Sequence, residues 1–320
     1  MHEFELINKY FLKLTNNNKS SLKLNDDVFF DTKSKTVVSV DTYVEGIHFI
    51  NFKKPSLVIK KIIRSSISDL ISKGVTPKYY FISASGNKKN FTKKNLFQIS
   101  KSLKEEQSRY KITLSGGDTV YSSKLSFSIT TIGFSNKIIY RNNTKVNDDI
   151  YVTGNLGDSY LGLLSLKKKI NISKKLSRYF INQYFKPKIR FKLTKSLNIF
   201  ANSSIDTSDG LIVDLEKLIN KQNNSYLLFF DKIPISKNLK FIINSKNLLK
   251  KNIISKGDDY QILFTASTKF RKFIKKTSHS KNLKITKIGK ILKGRGKSTI
   301  IDRNCKQIKL NNRGYLHRFN

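Results

Sequence analysis

Carboxylates placed at turns are the residues of this 320-residue chain best equipped to do chemistry. Five acidic turns stand out: Asn25-Asp26-Asp27, Ser39-Val40-Asp41-Thr42, Gly116-Gly117-Asp118-Thr119, Asp206-Thr207-Ser208-Asp209 and Gly257-Asp258-Asp259, with Asp69 as a sixth acidic position. Of the 22 acids, 16 are Asp and 6 are Glu. That bias points away from helical surfaces, where Asp competes with its own backbone. Any one of these motifs also reads as a plain turn, since Asp and Ser beside Gly form turns for local reasons. All five adjoin β-like apolar runs, however, where α/β proteins place their ligand crevices. If the loops converge, several carboxylates within a few ångströms cannot all stay ionised without cations. Short hard oxygen ligands without a His/Cys cluster suit Mg²⁺ rather than zinc or copper. Mg²⁺ held by few carboxylates bridges to phosphate oxygens, so the expected chemistry is metal-assisted phosphoryl transfer. Gly116-Gly117 would let backbone N–H groups approach a phosphate closely.

The elements that must carry these turns follow from periodicity. Thr36–Val40 alternates and ends at Asp41, a strand that delivers a carboxylate to its end. Pro55 opens a helix whose stripe of Ile59, Ile62, Ile63, Ile67, Leu70 and Ile71 runs to a cap at Gly74. Asp69 falls on its last turn, the unfavourable end for a carboxylate, and is expected to need a cationic partner. A strand at 79–83, a helix at 92–108, the loop 115–119 and a long strand at 125–134 follow. The polar stretch Asn142–Asp149 reads as a junction between a domain at 1–146 and a second at 147–320. The second is expected to hold a strand at 150–153, helices to about 166, at 190–202 and to about 220, and strands at 226–230, 259–265 and 284–291. Alternating helices and strands in both halves give an α/β, two-domain fold.

Composition restricts the alternatives. There are 62 Lys+Arg against 22 Asp+Glu, a net charge of +40. Lys supplies 52 of those cations and Arg only 10, and both halves are basic, with no basic tail. Specific nucleic-acid contacts favour the forked Arg donor. The 38 Ile and 30 Asn against 3 Ala fit AT-rich coding, which enriches Lys as well. Specific nucleic-acid recognition is therefore not expected. No apolar run approaches a membrane span, so no membrane partner is expected either, and the acidic start Met1-His2-Glu3-Phe4-Glu5 does not resemble an export signal. The single cysteine, Cys305, rules out a disulfide framework, and a cytoplasmic location is expected. Gly294-Arg295-Gly296-Lys297-Ser298 only imitates a Walker A end and reads as a Lys-rich β-turn, and Gly154-Asn155-Leu156-Gly157 reads as a strand-to-helix turn.

In this order the motifs resemble the thiamine-monophosphate kinase family, within the aminoimidazole-ribonucleotide-synthetase-like superfamily. The resemblance rests on Asp26-Asp27, Val38-Ser39-Val40-Asp41-Thr42-Tyr43-Val44-Glu45-Gly46-Ile47-His48-Phe49, Ser68-Asp69-Leu70 and Ser115-Gly116-Gly117-Asp118-Thr119. It continues through 148–154, Ile205–Leu211, Gly257–Tyr260 and Arg313-Gly314-Tyr315. The resemblance implies a two-domain α/β (α+β) fold with a dimer-forming N-terminal sheet, a homodimer, and ATP-dependent phosphorylation of thiamine phosphate with several Mg²⁺. It places metal ligands at Asp27, Ser39, Asp41, Asp69, Asp118, Asp206 and Asp209. Nucleotide contacts fall at Tyr110 (against the adenine), Gly117, Asp118, Arg141 (near the phosphates) and Ser208. Substrate contacts fall at His48 and Asp258, and Asp118, Arg141 and Asp209 would carry catalysis. The chain departs from the family pattern at Asn25, Val40 and Gln261, and a substrate-packing aromatic near the C-terminus falls on Asn312 or its neighbours.

Each of these residues has a structural reading too. Arg141 suits phosphate oxygens through its planar fork but would also make a junction salt bridge. Tyr110 could be core, His48 a satisfied structural histidine and Ser208 a helix cap. The alternatives to the kinase are another ATP-dependent synthetase of the superfamily and a non-catalytic basic nucleic-acid-binding protein. Chromatography on immobilised DNA across a salt series separates the last. Diffuse lysine charge predicts retention that is lost by roughly 0.2 M salt without sequence preference; retention beyond that would favour the nucleic-acid reading.

Overall fold

The computed structural model describes residues 3–294, 296, 298–310, 314, 315 and 319. A short helix α1 (Glu3–Leu6) and irregular helical turns to Leu24 lead into β1 (Phe29–Asp31) and β2 (Thr36–Val44). The helix α2 (Pro55–Ser72), β3 (Pro77–Gly86), α3 (Lys93–Tyr110), β4 (Thr113–Tyr121) and β5 (Ser126–Phe134) complete the first half. The five strands form one sheet in the order β1-β2-β5-β3-β4. β5 alternates buried and half-buried residues, so one face carries Phe127 and Ile129 into the core and the other stays open.

The second half runs β6 (Asp149–Thr153), α4 (Asp158–Leu166), α5 (Lys174–Phe185), α6 (Thr194–Phe200), β7 (Ala201–Asp206) and α7 (Leu211–Ile219). It continues with β8 (Asn224–Phe229), α8 (Lys237–Ser245), α9 (Lys250–Ile254), β9 (Ile262–Ala266), α10 (Arg271–Ser280), β10 (Ile285–Lys293) and β11 (Thr299–Ile301). Its sheet has the order β11-β8-β10-β6-β9-β7, antiparallel except for the β8–β11 pair. The expected helix at 190–202 is shorter, because the chain turns to extended at Ala201 and continues as β7.

α2 lies between the two sheets and packs on β2, β5 and β7. Pro55 sits at its first turn, and Gly74, at φ +76°, follows its end. The position explains why its polar residues, Lys61 among them, and its cap residue Lys73 are buried with its isoleucines. The largest apolar cluster joins Ile59, Ile62 and Phe127 of the first half to Tyr184, Phe200 and Phe264 of the second. The core is thus continuous from one sheet to the other.

The segment Ser115–Thr119 corrects an expectation: it is not a loop but the middle of β4, parallel to β3 with Ile82 opposite Gly117 and Ser83 opposite Asp118. β4 is an edge strand exposed along its whole length. Gly117 is required there by close approach, because a Cβ at this position would lie 1.8 Å from the Ile82 carbonyl oxygen. Gly117→Ala is therefore expected to lower stability by about 2–3 kcal/mol, read from urea denaturation, by pushing β4 off β3.

Candidate active site

A cavity of about 620 Å³ opens between the two halves. It is lined by Asp26, Asp27, Asp41, His48, Asp69, Arg141, Ser208, Asp209 and Asp258, together with Tyr43, Tyr260, Lys217 and Tyr315. Four of the five acidic turns thus meet there with Asp69, but Asp41 is not at a strand end as expected: β2 continues past it to Val44 because β5 supplies its partners. β2 brings Ser39 and Asp41, the last turn of α2 brings Asp69, and β7 ends at Asp206. The loop before α7 brings Ser208 and Asp209, and it is knitted to the 257–260 loop. The Asp258 N–H donates to the Ser208 carbonyl at 2.8 Å and the Tyr260 N–H to that of Thr207 at 2.9 Å.

The electrostatics are severe. Asp69 has no ion-pair partner among the described residues; the Ser39 hydroxyl donates to it at 2.5 Å. Burial, then the charges of Asp41 and Asp206, push its carboxyl well above the usual range, with Ser39 and Lys73 opposing. Burial also raises Asp41, against hydrogen bonds from Ser66 and Tyr43. Asp206 is pushed up to about 6, mainly by burial, and its Oδ2 is buried with no hydrogen-bond partner. The remaining acids are held by cations. Lys73 reaches Asp26 at 2.7 Å, Asp27 at 3.1 Å and the Ser204 carbonyl at 2.8 Å. Arg141 forks onto Asp27, its Nε at 3.1 Å and its Nη2 on the other oxygen. Lys217 pairs with Asp209, and Asp214 accepts the N–H groups of Asp209 and Gly210 at 3.1 and 3.0 Å. Among the described residues no three His, Cys, Asp or Glu side chains close into a ready metal centre. The cations already bound to Asp27 and Asp209 are the physical reason those two carboxylates are engaged elsewhere.

Three expected site residues stand apart. Tyr110 is buried in the core, edge-on to Phe191 at 6.0 Å and beneath the Arg64 guanidinium, and does not line the cavity. Gly117 and Asp118 lie on β4. Across the sheet Asp118 aligns with Ser83, Ser128 and Thr42 in turn. Three strand spacings, roughly 14 Å, therefore separate it from the neighbour of Asp41 within one chain.

His48 lines the cavity; its Nδ1 accepts the Val44 N–H at 3.0 Å. The Asn25 side chain bonds to that of Asn220, and Val40 is exposed at the cavity. Gln261 is buried, accepting from Arg190 Nε at 2.7 Å and donating to the Asp259 carbonyl at 3.0 Å. Gly154-Asn155-Leu156-Gly157 is a strand-to-helix turn whose helix start is met by Asp259, which accepts the Gly157 N–H at 2.7 Å. Asn312, Arg295 and Lys297 lie outside the described residues. Tyr315 is an aromatic the sequence reading did not place: its N–H donates to the Asp209 carbonyl at 2.9 Å and it lines the cavity. The signal for it was its position in Gly314-Tyr315, not at Asn312.

The fold and cavity define an α/β protein of the AIR synthase class. Residues 25–135 match the "AIR synthase related protein, N-terminal domain". The chain is 34% identical to the thiamine-monophosphate kinase of Buchnera aphidicola subsp. Acyrthosiphon pisum over 276 residues, covering 83% of this chain and 84% of the relative. It is 32% identical to that of B. aphidicola subsp. Schizaphis graminum, covering 99% and 98%. Among solved structures, "AaThiL complexed with AMPPCP and TMP" superposes with a TM-score of 0.85 at 26% identity, covering 99% of this chain and 97% of that one. The HypE–HypF complex, at 13% identity and a TM-score of 0.75, shares the fold alone. The chain belongs to the thiamine-monophosphate kinase family.

The unpartnered Asp206 oxygen generates a prediction for metal-free protein. Its folded value near 6 lies above its unfolded value of 3.8. The stability tied to its protonated form is therefore present below pH 4 and lost as pH rises through about 6. With EDTA present, Asp206→Asn is expected to unfold at higher temperature than the parent at pH 7–8, by about 1–3 kcal/mol of stability, and at the same temperature near pH 4. Calorimetry across that range checks the convergence.

Proposed function

We propose that this protein transfers the γ-phosphoryl group of ATP directly to thiamine phosphate, giving thiamine diphosphate and ADP. One observation carries the reading: carboxylates from three loops, β2 and α2 converge on a single cavity beside Arg141, in a chain of this family. A solved relative, AaThiL, is complexed with AMPPCP and TMP. The acceptor's phosphate oxygen is already anionic, so the reaction needs alignment and charge neutralisation rather than a strong base. That oxygen forms the new bond to the γ-phosphorus as the bond to the β-phosphate oxygen breaks.

The donor set fits Mg²⁺. It offers hard oxygens only, and Asp206 Oδ2 is a buried acceptor with nothing bound to it. Asp27, Ser39, Asp41, Asp69, Asp206 and Asp209 would hold several ions, with Asp118 added from a second chain. Bound Mg²⁺ would supply positive charge to the phosphate oxygens of both substrates. Arg141, buried beside the cavity and paired with Asp27, would meet the transferred phosphoryl group with the N–H groups that Asp27 does not take. Ser208 would offer a hydroxyl to the nucleotide, and Gly117, like Asp118, a backbone N–H from a second chain; Tyr110, buried in the core, is left out of this reading. His48 and Asp258 face the acceptor, and Tyr315 offers it an aromatic face in the place sought near Asn312.

We read the protein as a homodimer of two-domain subunits, divided at 146/147 and acting in the cytosol, where its ATP is. The open face of the first sheet supports the dimer. Val40, Leu114, Val120 and Tyr121 are exposed on the first half, the last by 80%. Pairing two such faces is what would carry Asp118 of one chain toward the carboxylates of the other.

Chromatographic detection of thiamine diphosphate from thiamine phosphate, ATP and Mg²⁺ tests the function; no product from well-folded protein would refute it. Asp118→Asn is expected to fold and to lose turnover. Mixing inactive Asp118→Asn chains with inactive Asp41→Asn chains is expected to restore about a quarter of the activity through mixed dimers, as random pairing dictates.

A further inference from the structure

Lys61 is the most completely buried cation near the cavity after Lys73, and nothing described so far uses it. It sits on α2 with a side chain 1% exposed, and its ammonium lies 2.7 Å from Asp258 Oδ1. The same ammonium lies 3.7 Å from the centroid of the Tyr184 ring. Tyr184, on α5, is itself buried, and its hydroxyl donates to the His48 carbonyl at 3.1 Å. The Tyr260 hydroxyl adds a second bond to Asp258 Oδ1 at 3.2 Å. One lysine therefore connects the two acceptor-facing residues, Asp258 from the second half and His48 from the first, through one hydrogen bond and one aromatic face.

Burying a lysine is costly, because its ammonium loses water and its long side chain loses rotamer freedom. An apolar residue would fill this helix position without that cost, and the neighbours Ile59, Ile62 and Ile63 show that the core accepts one. What the ammonium adds is a fixed charge and a fixed direction. Both bonds to Asp258 fall on Oδ1, leaving Oδ2 of a side chain that is 30% exposed and lines the cavity. A carboxylate presented this way, beside the Tyr260 ring, complements an organic cation and repels a polyphosphate. Of the two substrates in the proposed reaction, the acceptor carries the thiazolium cation.

We infer that Lys61 is the positioning residue of the acceptor subsite: it aims Asp258 and, through Tyr184, ties it to the His48 loop, so that both halves of the chain present one preassembled clamp to the thiazolium end of thiamine phosphate. Lys61 does not touch the substrate; it acts through Asp258 and Tyr184. The inference rests on the function proposed above and deepens it.

The test is steady-state kinetics with thiamine phosphate and ATP varied separately, beside calorimetric binding of thiamine phosphate to the full chain. Lys61→Met is expected to raise the KM for thiamine phosphate about tenfold or more while the KM for ATP moves less than about twofold. Lys61→Gln, which still donates to Asp258 without the charge, is expected to fall between, and it serves if the methionine variant does not fold. Asp258→Asn is expected to reproduce the selective effect, and the double variant to be no worse than either single one. A purely structural lysine would instead lower Tm and shift both KM values together, or add to Asp258→Asn in full, and either result overturns the inference. Wild-type binding of thiamine phosphate that both Lys61 variants leave unchanged overturns it alone. Absence of binding and turnover in wild-type protein overturns the function with it.

Discussion

The concentration of negative charge in one cavity is the constraint on which the rest of the structure depends. Asp27, Asp41, Asp69, Asp209 and Asp258 line it, and the buried Asp206 lies near enough to raise Asp69, with an oxygen that no donor among the described residues satisfies. Such an arrangement folds only if the surrounding protein answers the charge. The answer comes from a second layer of cations: Lys73 on Asp26 and Asp27, Arg141 on Asp27, Lys217 on Asp209 and Lys61 on Asp258. Asp41, Asp69 and Asp206 have no such ion pair among the described residues, and burial above all raises their proton affinities. They are the part of the cage with most to gain from an added divalent ion.

α2 is the element that makes this possible. It carries Lys61 and Asp69, ends in the cap residue Lys73, and is packed by both sheets. A surface helix would leave its lysines in water, where an ion pair contributes little. Enclosed between two sheets, the same side chains become fixed charges that tie loops from opposite halves of the chain. Lys73 joins the 26–27 turn to the Ser204 carbonyl of β7, and Lys61 joins α2 to the 257–260 loop. The apolar core runs through the same place, so the packing that stabilises the fold also sets the geometry of the acids.

The chain's charge of +40 contributes differently. Most of it is Lys spread over both halves, a solvated exterior that favours approach of anionic substrates by long-range attraction. The few cations that matter locally are buried ones, and they are identified by burial and partner rather than by number. The first sheet carries exposed apolar residues of its own. Val120 and Tyr121 are exposed on an edge strand whose Asp118 lies away from the carboxylates of its own chain.

Much of this was legible before any coordinates. Turn chemistry and alternating patterns marked the acidic loops, and the resemblance of eight motifs in register marked the family. Periodicity placed α2 from Pro55 to the Gly74 cap, since helix propensity and a repeating apolar stripe are local properties. The sequence failed where distance along the chain says nothing about distance in space. Ser115–Thr119 read as a loop because two glycines and an aspartate are turn formers, yet it is a strand, because β3 supplies its partners and Gly117 permits their approach. Tyr110 became core, and Tyr315 came to line the cavity. The sequence by itself determined which residue types exist to bind and neutralise phosphate. Only the tertiary structure decided which carboxylates share a cavity, which cations answer them and that Asp118 stands apart from them, because those are matters of Coulomb energy, burial and strand order across more than a hundred residues of separation.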